Sequence, residues 1–257
     1  MSKEDMEIIV VEKEILFGKE YFEGFKPQYH VDFESRILSN LKSMRRGDAE
    51  KDPSHKQPIG YALIINPKTK EVFAYQRSSK DKNYGEKRLQ GKWSWGVGGH
   101  IEPFDVKIAN AENHTLKHVD ECNLEHPKIP SKPRLKSRGK IQGFFDSENG
   151  NPIRESMLRE VIEEELELIG EIKSSSVLGY VNDDSNDVGK VHFGILYLIE
   201  FEGQVKPRDS EIAHGRLMSI NELEKICSSP DKDVETWSEI ALGPLKKYFE
   251  EIQQKPL

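Results

Sequence analysis

The chain has 257 residues, 35% hydrophobic and 32% charged, which is enough apolar material for one elaborated domain or two small ones. Its formal net charge of -7 excludes a generic nucleic-acid-coating protein, which needs a basic footprint; an anionic substrate stays allowed, because a bound metal reverses the local field. Two cysteines, Cys122 and Cys227, exclude a disulfide scaffold, and the apolar run Ile8 to Val11 is too short for a signal peptide or a membrane span. A cytoplasmic protein with no membrane association is expected.

Residues 7–12 read as a strand, and Asp32 is placed to cap a helix carrying Phe33, Ile37, Leu38, Leu41 and Met44. The polar stretch 45–58 reads as a linker, so residues 1–57 are expected to form an N-terminal extension or small subdomain and 58–257 the main domain. Residues 59–66, 71–77 and 93–97 read as strands, with Pro67 to Lys70 as the first turn.

The segment 103–149 mixes charge and proline and reads as an insertion projecting from the domain. Within it His114, His118, Cys122 and His126 stand four apart. Imidazole and thiolate are zinc ligands. On one straight helix, however, the outer two histidines lie about 18 Å apart, so a polar helix is the plainer reading.

Asn151 and Pro152 open a strong helical pattern over 152–168. Residues 176–182 and 190–201 predict a hairpin, Ser219 and Glu222 a capping box, and 233–253 a final amphipathic helix. Strands mixed with helices at both ends predict an α/β sandwich.

The densest chemistry lies in REVIEE, Arg159 to Glu164. On a regular helix Glu160, Glu163 and Glu164, at i, i+3 and i+4, share one face. Carboxylates so close repel one another unless a hard cation such as Mg²⁺ or Mn²⁺ sits among them. Upstream, GVGGHIE puts Gly98 and Gly99 directly after a strand, where backbone can approach a ligand and expose a carbonyl to a metal. For REVIEE alone, a solvated acidic face is the ordinary reading.

Together these residues resemble the Nudix box, G-x5-E-x7-R-E-U-x-E-E-x-G-U, with Gly99 opening it and Arg159, Glu160, Val161, Glu163 and Glu164 completing its helical half. QPIGYALIIN, GEKRLQGKWSWGVGGH and LGYVNDDSNDVGKVHFGILYLIEF extend the likeness to MutT-like proteins described as predicted phosphoesterases, over roughly residues 57–226. The resemblance implies a Nudix-type α/β/α sandwich with a mixed sheet. The match departs in three places. The box is split by the insertion, its first glutamate is replaced by Asp105 or Asn151, and Leu166 stands where a glycine follows the EE pair, so that Gly170 would end the helix later.

By the same resemblance the chain is a hydrolase that cleaves a diphosphate linkage in a small nucleotide-like substrate, with Mg²⁺ or Mn²⁺ as cofactor. Gly99, Glu163 and Glu164 would hold the metal. Glu160 would be a further ligand or the base that activates water, and Arg159 would steady a box carboxylate. Glu211 stands where some members add a ligand or base from a later loop, and Arg77 resembles a phosphate-contacting arginine. Ordinary surface charges are their plainer readings, and His100 is equally a packing histidine or a catalytic one.

The alternative is a catalytically weak or inactive module that binds or senses a nucleotide. An isoprenoid diphosphate isomerase of this fold ranks last, since neither cysteine lies in a matching motif. No stable nucleic-acid partner is expected and a homodimer is left open. The leaving group is not legible: Trp93, Trp95, Tyr84 and Phe193 could stack on a base or fill the core.

Overall fold

The strand written by IGYALIIN lies at the centre of the sheet. In the computed structural model, which describes residues 2–79, 87–115, 150–208 and 210–254, it forms β4 (His55–Asn66). Side chains alternate across a strand. Ile59, Tyr61, Leu63 and Ile65 therefore enter one apolar cluster while Ala62 and Ile64 enter another.

β4 runs parallel to β8 (His192–Pro207), from Gln57 opposite His192 to Ile65 opposite Glu200. β8 forms an antiparallel hairpin with β7 (Leu166–Asn182), which pairs with β2 (Gly24–Pro27). On the other side β4 borders β1 (Glu7–Glu12), and β1 borders β3 (Lys42–Arg45). The N-terminal residues thus extend the same sheet from both edges.

β5 (Glu71–Arg77) stays with β4 only at the hairpin end, then turns away to pair with β6 (Trp93–Ser94) and β9 (Ile212–Ser219). The sheet splits there. Val97 and His100 bridge to Ala62 and Ile59 of β4, so the glycine-rich run is laid along the central strand.

Helices cover both faces. α1 (Lys13–Phe17), α2 (Phe33–Leu38) and α5 (Pro152–Leu158) pack on one, with Leu16, Phe17, Phe33, Ile37, Ile153 and Met157 in a single cluster. α6 (Ile220–Cys227) and α7 (Thr236–Gln254) cover the other through Leu223, Ile226, Ala241, Leu245 and Phe249. The result is the expected α/β/α sandwich with a mixed sheet. Phe193 and Trp95 are buried in these layers and Trp93 nearly so, which makes them core. Among the described residues no helix is long and apolar enough to cross a membrane.

Several local expectations hold. Asp32 Oδ1 accepts from Ser35 N at 2.9 Å, Asn151 Oδ1 from Ile153 N at 3.0 Å, and Ser219 and Glu222 form the reciprocal box. Others are corrected by tertiary pairing. The helix read from Phe33 to Met44 ends at Leu38, because Met44 joins β3 opposite Ile8. The linker over 45–58 contains α3 (Arg46–Ala49) and the start of β4. Strand 93–97 is regular only at Trp93–Ser94. The helix read to 168 ends at Glu165, and Gly170 lies within β7 opposite Gly203.

The segment read as a projecting insertion opens instead with α4 (Pro103–Thr115), whose buried Asp105, Ile108 and Ala109 make its first turns part of the domain. Tyr84, His118, Cys122, His126 and the side chain of His114 lie outside the described residues.

α5 sits close to β4 because Gly60 leaves room for it. A Cβ there would lie 2.7 Å from Met157 Cβ and 3.1 Å from the Ile153 carbonyl oxygen. Gly60→Ala is expected to lower the unfolding free energy by about 1–3 kcal/mol, the usual cost of overpacking, in a urea titration with unchanged slope.

Candidate active site

The two halves of the split motif meet around Arg159. Its guanidinium donates from Nε to Asp105 Oδ1 and from Nη2 to Asp105 Oδ2, both at 3.1 Å. Nη1 donates to Glu160 Oε1 at 2.9 Å and Glu164 Oε1 at 3.0 Å, and Nη2 also reaches the His100 carbonyl at 3.0 Å. Burial works against the arginine's charge, but the hydrogen bonds and charge of Asp105, with Glu160 and Glu102 behind it, outweigh that and hold it firmly protonated.

Asp105 and Asn151 are placed differently. Asp105 is 1% exposed, binds Arg159 and also accepts from Glu102 N at 2.8 Å, while Asn151 caps α5. Ser156 Oγ adds a tie to the loop by donating to the His100 carbonyl at 3.0 Å.

Beyond α5 the chain forms a π-helical turn, Arg159–Glu165. Its hydrogen bonds run from i to i+5, so side chains are displaced around the axis relative to an α-helix. A cavity of about 530 Å³ opens here, and its lining takes in Glu160, Glu164 and Glu165 but not Glu163. The backbone carbonyl of Glu163 accepts from Arg208 Nη1 at 2.8 Å, on the side where β7 begins. The face expected to carry Glu160, Glu163 and Glu164 is thus rewritten by the wider turn. Glu165 was missed because the reading assumed a regular helix.

Gly99 touches the acidic wall directly: a Cβ on it would lie 2.2 Å from Glu160 Oε1. Burial, with the charges of Glu164 and Asp105, raises the Glu160 carboxyl to about 7 against the pull of Arg159.

Glu211 and Arg77 also line the cavity. Glu211 Oε1 accepts from Lys3 Nζ at 3.0 Å, and Arg77 Nε donates to the buried Glu235. Glu50 and His192 line it as well, and sequence reasoning singled out neither. Glu50 follows α3 in a stretch with the polar texture of a linker, and His192 opens a strand; only their meeting with His100 sets them apart. Cys227 packs beside the cluster under α6 and α7, outside the cavity lining.

No family model matches the chain. It is 32% identical over 254 residues to Protein YmaB of Bacillus subtilis (strain 168), a match that covers 96% of this chain and 100% of YmaB. Among solved structures it is similar to Tm1382, described provisionally as a Nudix hydrolase, with a TM-score of 0.63 and 21% identity over 94% of this chain and 99% of that one. The chain belongs to the YmaB family and has the Nudix fold. The residues that resemble a split Nudix box are therefore brought together in space, with Asp105 on one side of the break and Arg159 on the other.

The raised carboxyl of Glu160 sets the sign of a pH effect in metal-free protein. Because folding favours the protonated form, the group's contribution to stability is full below about pH 4.5 and is lost as pH rises through about 7. Glu160→Gln, neutral throughout, should melt above the native chain by a margin that grows across that window. The growth should reach about 2–4 °C, the shift that roughly 1 kcal/mol produces in a chain of this size. Melting curves in EDTA from pH 5 to pH 8 test this, and a constant margin would mean that Glu160 is not desolvated.

Proposed function

We propose that this chain is a cytoplasmic Nudix hydrolase that cleaves a diphosphate linkage in a small nucleotide-like substrate, using Mg²⁺ or Mn²⁺. The observation that carries the reading is the composition of the cavity. One wall gathers Glu160, Glu164 and Glu165, while Lys3, Arg46, Arg77, Arg88 and Lys92 line it elsewhere. An acidic wall suits a hard divalent ion, and surrounding cations suit an anionic substrate.

The residues present fit such an ion. Glu160 and Glu164 crowd one guanidinium that is already held along its Nε–Nη2 edge by both oxygens of Asp105, and Gly99 brings backbone into contact with Glu160 where any side chain would clash. Glu160, Glu164 and the Gly99 carbonyl would hold the metal, with Glu165 and Glu211 beside them and Glu163 set back. The ion would neutralise the diphosphate and lower the pKa of bound water. If Glu160 is left out of the metal shell, its carboxylate would instead be the base that takes the proton from the attacking water. Arg77 and Arg88 would exchange carboxylate partners for substrate phosphate.

The test is a panel of nucleoside triphosphates, dinucleotides, ADP-ribose, sugar nucleotides and coenzyme A, assayed for phosphate or nucleotide release with and without Mg²⁺. Metal-dependent release from at least one is expected, and Glu164→Gln should lower it at least about 10-fold while leaving the fold intact. Saturable binding without turnover would favour the nucleotide-sensing module instead.

Metal binding also carries a stability signature. An ion that binds only the folded state raises the melting temperature with its concentration, whereas plain screening is reproduced by any salt. Millimolar MgCl₂ should raise the native melting temperature above NaCl of matched ionic strength, and the Glu160→Gln, Glu164→Gln double variant should lose that difference. A double variant that keeps it would place the metal elsewhere.

A further inference from the structure

Beside the box carboxylates the cavity holds a second donor set of different chemistry. Glu50 follows α3, His100 ends the glycine-rich run, and His192 opens β8. Their ligand atoms all lie within 4.8 Å of one another. The two Nε2 atoms are 3.2 Å apart, and Glu50 Oε1 lies 3.8 Å from His100 Nε2 and 3.9 Å from His192 Nε2. Two nitrogens bound to one tetrahedral Zn²⁺ at about 2.0–2.1 Å stand roughly 3.3 Å apart. The imidazoles are already at that spacing, and the carboxylate needs to close by only about half an ångström.

The surroundings prepare these atoms as ligands. His192 Nδ1 donates to the Val188 carbonyl at 2.7 Å, which fixes the tautomer and leaves the Nε2 lone pair directed at the cluster. Glu50 Oε2 accepts from Arg88 Nη2 at 2.8 Å, whereas Glu50 Oε1 is buried and accepts no hydrogen bond. Its nearest cation is Arg46 Nε at 3.8 Å, too long for a hydrogen bond, so a metal ion at the convergence point would satisfy that oxygen directly.

We propose that Glu50, His100 and His192 form a three-ligand site for a borderline divalent ion, Zn²⁺ foremost, separate from the box carboxylates and opening on the same cavity. Two imidazoles and one carboxylate are a donor set of catalytic zinc sites, which keep a further position for water or substrate. Mg²⁺ prefers an all-oxygen shell and does not suit it. The site goes beyond the hydrolase reading and does not depend on it.

The test is metal uptake by the full-length chain, stripped with chelator and dialysed against micromolar Zn²⁺, with Co²⁺ as a spectroscopic probe. The native chain should retain about one Zn²⁺ and give a Co²⁺ visible band. X-ray absorption of the zinc form should show imidazole scattering and no sulfur. Glu50→Gln and His192→Ala, checked by circular dichroism, should each weaken retention by more than about 10-fold, the scale on which even outer-shell changes act. The Glu160→Gln, Glu164→Gln double variant and Cys122→Ser should keep it.

The absorption spectrum is read on the native chain, so the proposal stays testable if a variant fails to fold. No zinc retained, uptake undiminished in folded Glu50→Gln and His192→Ala, or a sulfur scatterer that points to Cys122 would overturn it. The histidine pair would then be a plain hydrogen bond. Loss of catalysis with zinc retained would count against the hydrolase reading alone.

Discussion

The site is organised around one largely buried guanidinium. A buried charge is costly unless its partners are close and its donors are used. Arg159 meets both conditions, with all five N–H donors committed to Asp105, Glu160, Glu164 and the His100 carbonyl. The acceptors come from three structural sources: Asp105 from α4, Glu160 and Glu164 from the π turn, and the His100 carbonyl from the loop laid along β4. A lysine could not span them, because its ammonium lacks the planar fork that grips both oxygens of Asp105. This contact also ties α4 to the π turn, while the Asn151 cap fixes the start of α5 beside it.

The N-terminal residues belong to the same construction. β1 and β3 continue the sheet beyond β4, and Phe17 and Phe33 pack edge-on against Phe193 of β8. That docking brings Lys3, Met6, Ile8, Arg46 and Glu50 to the cavity wall. Lys3 meets Glu211 there, and Glu50 receives Arg88, so two of the cavity's charge pairs join residues far apart in sequence. The segment that most resembled a solvated linker thus supplies part of the pocket's shape and charge.

How much of this was legible depended on whether the decisive contact was local. Caps at Asp32, Asn151 and Ser219 could be read because their partners lie within three residues. The central strand could be read because apolar residues fill both of its faces, and the box because glycine, arginine and glutamate recur at fixed spacing. The end of the acidic helix could not. Leu166 is claimed by β7, which pairs it with Pro207, and Arg208 occupies the Ile162 and Glu163 carbonyls while its own N–H bonds the Glu165 carbonyl. Those partners lie more than forty positions away, and together they favour the wider turn that exchanges Glu163 for Glu165 on the cavity wall. His192 and Glu50 were hidden for the same reason: each looks ordinary until the fold brings it to His100.

The glycine-rich run explains how two donor sets of different hardness fit in one cavity. Gly98 presses on the Gly60 carbonyl of β4, Gly99 touches Glu160, and His100 offers its carbonyl to Arg159 and its ring to Glu50 and His192. Three consecutive residues therefore contact the central strand, the oxygen-rich wall and the imidazole cluster in turn. Close packing leaves that backbone little freedom, because a Cβ at Gly98 or Gly99 would overlap atoms of its neighbours. A shift that moved Glu160 would have to pass through Gly99 to His100, so the two walls are held at a fixed spacing by the covalent chain. Hard oxygens on one side and imidazole nitrogens on the other would then favour different ions, so that the two proposed sites could share a single cavity without competing for one metal.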